Sequence, residues 1–140
     1  MAYDPDNIFA KILRGEANAH VVLDEAHCFA FMDLMPQSPG HTLIIPREPA
    51  ENIFDLSDEG LAHLTATTRR VARAVKTALN PAGIMIAQLN GVDAGQTVFH
   101  IHFHVIPRYA GEGLTFHART MADADELAAN AARIRAALAP

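Results

Sequence analysis

The sequence predicts an α+β fold, a single domain on a largely antiparallel five-stranded sheet with an N-terminal, a long central and a C-terminal helix. Three observations carry this reading. Five short apolar runs are bounded by turn residues, and the first two are parted by only a brief polar junction, as in a hairpin. Three other stretches repeat apolar residues every three or four positions, the helical period. No repeat, low-complexity tract or linker divides the 140 residues, so one domain spanning 1–140 is expected.

The elements follow in order. Asp4 and Pro5 suit a helix start, Ile8, Phe9, Ile12 and Leu13 share one face, and Gly15 suits a left-handed end. HVVLDE and HCFAFMD form the hairpin around Glu25. PQSPG is a turn, and HTLIIP a third strand that Pro46 and Pro49 stop. Ser57 caps the long helix, with Asp58 and Glu59 favourable in its first turn. Its stripe is Leu61, Leu64, Thr68, Val71, Val75 and Leu79, and Asn80, Pro81 and Gly83 end it. GIMIAQLNG and TVFHIHFHVIP are the fourth and fifth strands, joined by the turn VDAG. Thr120 with Asp123 makes a capping box for the last helix, whose stripe is Leu127, Ala131, Ile134 and Leu138.

Composition narrows the function classes. Half the residues are hydrophobic and 19% are charged, an ordinary globular balance. A net charge of −5 argues against a nucleic-acid polymer as partner, since backbone binding needs a basic face. The single cysteine, Cys28, has no internal disulfide partner, which points to a reducing cytoplasm. The start MAYDPDNIFAK is acidic and lacks the apolar run of a secretory signal, and no window nears the roughly 18 apolar residues of a membrane span.

The chemistry gathers in HIHFHVIPR, residues 100–108. In a strand, residues two apart lie about 6.6 Å apart on one face. His100, His102 and His104 would therefore share one face, while Ile101, Phe103 and Val105 turn to the core. The histidine face then looks into a polar cleft. One reading is metal, with His-x-His presenting two imidazoles to zinc and His41 as a third ligand. Against it, three histidines on one straight strand span too far to share an ion, and the nearest carboxylates, Asp93 and Glu112, sit in loops. The other reading is phosphorus chemistry. A neutral imidazole is a nucleophile at physiological pH, and protonated neighbours stabilise phosphate oxygens once their pKa values are pushed apart. The preceding loop NGVDAGQTV fits it: Gly91 and Gly95 allow close backbone approach to a phosphate, and Gln96 and Thr97 are short polar donors.

HIHFHVI resembles the signature of the histidine triad (HIT) nucleotide-binding proteins, His-φ-His-φ-His-φ-φ with φ apolar. DNIFAKILRGE, FAFMDLMPQSPGHTLIIPR and LNGVDAGQTVFH resemble that family's other blocks, so the likeness covers a core of about residues 6–110 and leaves a loop and helix at 111–140. Gln96 and the helix-start pattern resemble the Hint-type branch. The resemblance implies a HIT-like fold and a homodimer whose sheets join edge to edge. It implies binding of a purine nucleoside monophosphate or its conjugate, and hydrolysis at the α-phosphate of a phosphoramidate or related bond. By the same resemblance His102 is the nucleophile, His104 contacts the phosphate and assists the leaving group, and His100 and His41 orient the others. Asp33 would bind the ribose, Ile8, Phe9, Phe31, Leu34 and Leu43 would form the base slot, and Asn90, Gln96 and Thr97 would lie near the phosphate. Some members carry Cys-x-x-Cys in the first helix for a structural zinc. Asn7 and Ala10 stand there here, so neither metal nor other cofactor is expected. Choice of leaving group falls to RYAGEGLTFHART, where His117 is expected to face solvent, and to the last helix. A dinucleoside polyphosphate hydrolase, a nucleotidyltransferase and a non-catalytic nucleotide-binding module are the alternatives.

Overall fold

In the computed structural model, which describes residues 2–113 and 120–138, the elements run α1 (Ile8–Leu13), β1 (Val21–Asp24), β2 (Cys28–Met32), β3 (Thr42–Pro46), α2 (Asp58–Leu79), β4 (Gly83–Gln88), β5 (Phe103–Arg108) and α3 (Ala124–Leu138). His117 lies outside the described residues. The strands form one sheet in the order β1-β2-β3-β5-β4, every neighbouring pair antiparallel. None of the described helices is long and apolar enough to cross a membrane.

Strand alternation divides the molecule into two layers. Ala30, Met32, Ile44, Ile101 and Val105 pack with Leu64, Val71 and Val75 of α2 and Leu127, Ala131 and Ile134 of α3. Fully burying such an aliphatic side chain stabilises by about 1.5–3 kcal/mol, so this layer supplies most of the fold's cohesion. On the opposite face Phe29, Phe31, Leu43 and Ile45 meet Phe9 of α1 in a smaller cluster. Because β2 and β3 are covered on both sides, all five residues of each are buried. By contrast β4 stands at the sheet edge with residues only half-buried or exposed.

Local chemistry sets the boundaries. Ser57 accepts from the Gly60 N–H (2.9 Å) and caps α2, whose end is Asn80 in the left-handed region (φ 48°). Gly40 has φ +96°, a conformation that L side chains rarely adopt, so the PQSPG turn needs glycine there. Two starts differ from expectation. Asn7, not Asp4, caps α1 by accepting from the Ala10 N–H (2.9 Å), because Asp4 instead accepts from the Asp6 N–H and shapes the turn ahead of the helix. At α3 the side chain of Asp123 accepts from Glu126 N–H (3.2 Å) and takes the cap expected of Thr120.

The fifth strand is shorter than the sequence suggests. Its ladder begins at Phe103, opposite Ile44, not at Thr97. Continuing that register would put Ile101 opposite Pro46, which has no N–H to give. The Pro46 carbonyl accepts from His100 Nε2 (2.8 Å), and the Ile101 N–H turns to the Ala50 carbonyl (2.9 Å). The chain therefore leaves the sheet at His102.

Candidate active site

That departure separates the three histidines. His104 sits in β5 opposite Leu43 of β3 and Ala87 of β4, on the α1 face. His102 is the last residue before the ladder, its ring centroid 5.0 Å from that of His104. Both line a cavity of about 870 Å³, together with His41, Asp33, Gly95 and Thr97. His100 does not join them, which corrects the expectation that all three face the cleft. It is 1% exposed and lies between the Pro46 carbonyl and the hydroxyl of Tyr3.

The hydrogen bonds assign the protons. His102 Nδ1–H donates to the His100 carbonyl (2.8 Å), so Nε2 keeps its lone pair. The Gln37 backbone N–H donates to His41 Nδ1 (3.1 Å), which places the His41 proton on Nε2. That Nε2–H donates to His104 Nδ1 (2.9 Å), leaving His104 with its proton on Nε2. The cavity wall thus offers one imidazole lone pair and one imidazole N–H side by side. Asp33 is tied to the same cluster, its N–H donating to the His41 carbonyl (3.0 Å) and its Oδ2 3.5 Å from His41 Nε2.

Burial moves every ionisable group here towards neutrality. Desolvation lowers His102 and His104 to about 4 and His41 to about 3, with His104 adding to the shift of His102 and of His41. His100 is lowered by the same cause, against the bond to Pro46. Asp33 rises to about 6 through desolvation, opposed by its bond from the Met35 N–H. The imidazoles are therefore not pushed apart in pKa with some protonated, as the sequence suggests. All shift downward together and are neutral at pH 7.

Of the other residues singled out in the sequence, Asp33, Gly95 and Thr97 line the cavity, Gly95 in the left-handed conformation (φ 100°) that turns the loop. Phe9, Phe31 and Leu43 are buried in the smaller cluster beneath α1, and Phe9 reaches the site by packing edge-on against His102 (4.9 Å). Ile8 and Leu34 are exposed, 47% and 43%, and neither lines the cavity. The amides of Asn90 and Gln96 are committed elsewhere, contrary to their expected place beside a phosphate. Asn90 pairs reciprocally with Gln88 (2.7 Å each way) and accepts from Ile53 N–H (2.9 Å). Gln96 accepts from Gly91 N–H (2.8 Å) and donates to the Glu51 and Val98 carbonyls, bracing the loop from inside. Sequence reasoning missed Met85 and Ala87, which line the cavity from β4; alternation along GIMIAQ was the available signal. It also missed Tyr3, for which no local pattern exists.

The model of the HIT domain matches residues 14–111. A Hit-like protein from Bartonella henselae, with an unknown ligand, superposes with TM-score 0.91 at 41% identity, covering 98% of this chain and 99% of that one. A zinc-bound histidine triad family protein from Mycobacterium smegmatis gives TM-score 0.85 at 35% identity, covering 95% and 93%. The adenosine 5'-monophosphoramidase hnt1 of Schizosaccharomyces pombe is 38% identical over 72% of this chain and 73% of its own.

The residues here do not fit a resident zinc. Asn7 is spent on the α1 cap, Ala10 carries no ligand atom, and both ring nitrogens of His100 are engaged. Asp33, His41 and His104 do lie with ligand atoms within 4.8 Å of one another. Yet the Gln37 N–H holds the proton of His41 on Nε2, the nitrogen an ion would need. On its matched domain, its fold and its relatives, the chain belongs to the HIT domain family, with Hint-type proteins among its neighbours.

Proposed function

We propose that the chain hydrolyses a purine nucleoside phosphoramidate or related nucleotide conjugate at the α-phosphate through a nucleotidyl-His102 intermediate. The observation that carries this reading is the proton pattern, a free Nε2 lone pair on His102 beside an Nε2–H on His104. His102 Nε2 attacks phosphorus in line, and as the P–Nε2 bond forms the bond to the leaving amine breaks. His104 Nε2–H donates a hydrogen bond to the departing nitrogen, which takes its proton from solvent and leaves as the amine. Water then attacks phosphorus and loses a proton to solvent, and the P–Nε2 bond breaks to release the monophosphate and restore His102. Backbone N–H groups around Gly95 and Thr97 would hold the non-bridging oxygens, a contribution commonly worth about 10²–10³ in rate per donor. Asp33 would hold the ribose. The phosphoramidase activity named for the fission-yeast relative supports this substrate class.

The same reading includes a homodimer joined at β4. That edge carries Ile86, 46% exposed, and β4 bonds to no described strand but β5. The other edge, β1, is overlaid by Arg135 of α3, which donates to the Val21 carbonyl.

The test is release of AMP from adenosine 5'-phosphoramidate by the purified chain, compared with a diadenosine polyphosphate at equal concentration. Rapid quench and mass spectrometry should find the nucleotidyl group on a peptide containing His102. An adduct elsewhere, or turnover without one, removes the covalent mechanism. AMP binding with no turnover of either substrate leaves a binding module.

A further inference from the structure

Tyr3 reaches the first histidine of the triad, although nothing in the triad motif names it. The Asp4–Asn7 turn is fixed by three contacts: Asp6 N–H to Asp4 Oδ1 (2.9 Å), Asn7 Nδ2 to the Asp4 carbonyl (2.7 Å) and Arg14 Nη1 to the Pro5 carbonyl (2.7 Å). So anchored, the segment carries Tyr3 across to residue 100, where its ring meets the His100 ring edge-on at 5.6 Å and its hydroxyl bonds to Nδ1.

We infer that Tyr3 is a positioning residue for His102, acting through His100. The inference rests on the proposed nucleophilic role of His102. His100 Nε2–H donates to the Pro46 carbonyl, so its Nδ1 is an acceptor and the Tyr3 hydroxyl is the donor. Held at both nitrogens, the ring leaves its residue no freedom to turn. The His100 carbonyl, on the same residue, receives His102 Nδ1–H and thereby keeps Nε2 bare. A chain of three fixed groups thus runs from hydroxyl to imidazole to carbonyl and ends on the nitrogen that attacks phosphorus. Removing the hydroxyl leaves a buried Nδ1 without its donor, and such a group recovers a partner by rotating or by taking up a proton. Either response loosens the hold on residue 100, whose carbonyl selects the His102 tautomer. Phe9 adds a second restraint from α1, packing on the His102 ring but offering it no hydrogen bond.

The experiment compares the full chain with Tyr3→Phe, which keeps the ring and loses only the hydroxyl. Two readouts are taken, steady-state turnover of adenosine 5'-phosphoramidate and the tautomer of each labelled histidine from long-range ¹H–¹⁵N spectra. The expected result is kcat lower by about tenfold, the scale of one ordinary hydrogen bond, with KM within about twofold. The His102 spectrum should shift from pure Nδ1–H towards a mixture. Turnover that falls while the His102 tautomer is untouched would assign Tyr3 a merely structural part and overturn the inference, as would an unchanged kcat in an active enzyme. If the unaltered chain turns nothing over, the functional reading fails, and the tautomer comparison alone still decides whether Tyr3 governs His102. Should Tyr3→Phe fold poorly, spectra of the unaltered chain suffice: His100 carrying its proton on Nδ1 overturns the inference without any substitution.

Discussion

His41 Nε2 stands 2.9 Å from His104 Nδ1, the link that leaves His104 able to donate. Replacing His41 by Ala removes the only described partner of that nitrogen, and kcat should fall by about 10–10². His41→Gln keeps an N–H donor on a side chain of similar reach and should recover part of the loss. Equal activity in the two variants, measured at saturating substrate, would show that His41 merely fills space.

His102→Ala should abolish turnover of adenosine 5'-phosphoramidate while AMP affinity, followed by calorimetry, stays within a few-fold. Full activity in this variant removes His102 from the chemistry. Because His102 also packs against Phe9, a loss of a few degrees in Tm is expected alongside.

Stability should depend on acid in a defined window. His102 and His104 are lowered to about 4 and His41 to about 3, from an ordinary value of 6.5. Below pH 6.5 the unfolded chain takes up protons at these sites that the folded chain refuses, so the stability they contribute at neutral pH is lost as pH falls towards 4. Asp33, raised to about 6, works the other way over pH 6 to 3.8, but it is one group against three. Thermal melts should be level above pH 7 and drop steadily below 6.5. A Tm that holds constant from pH 7 to 4.5 would contradict the burial of these rings in neutral form.

Gln96→Leu should destabilise the fold by about 2–4 kcal/mol, since the Gly91 N–H and the Glu51 and Val98 carbonyls all lose a partner. Denaturant titration measures it. Because the loop carries Thr97 into the cavity, KM for the nucleotide should rise as well. A variant of unchanged stability with a higher KM would return Gln96 to the role of direct ligand.

Where the chain announces structure, it does so through backbone chemistry. Pro46, Gly40, Ser57 and Asn80 act on their own peptide units, and the boundaries they set are readable. The alternation of Ile101, Phe103 and Val105 with the histidines correctly places the helix layer. The first half of the fifth strand is misread because its fate depends on a proline 55 positions earlier, which no local window contains. Asn90 and Gln96 mislead for another reason. A primary amide looks the same in a sequence whether it awaits a phosphate or braces a loop. Tyr3 and His100 meet across 97 residues, beyond any spacing rule.

Ile101 is fully buried and its N–H is bound to the Ala50 carbonyl, directly between two of the imidazoles. The His102 ring therefore hangs from a backbone segment that water hardly reaches. Amide hydrogen exchange at Ile101 should be among the slowest in the chain, and nucleotide should dock onto rings already in place. Most of the ordering that the proposed reaction requires is thus complete when the chain folds, before any ligand arrives.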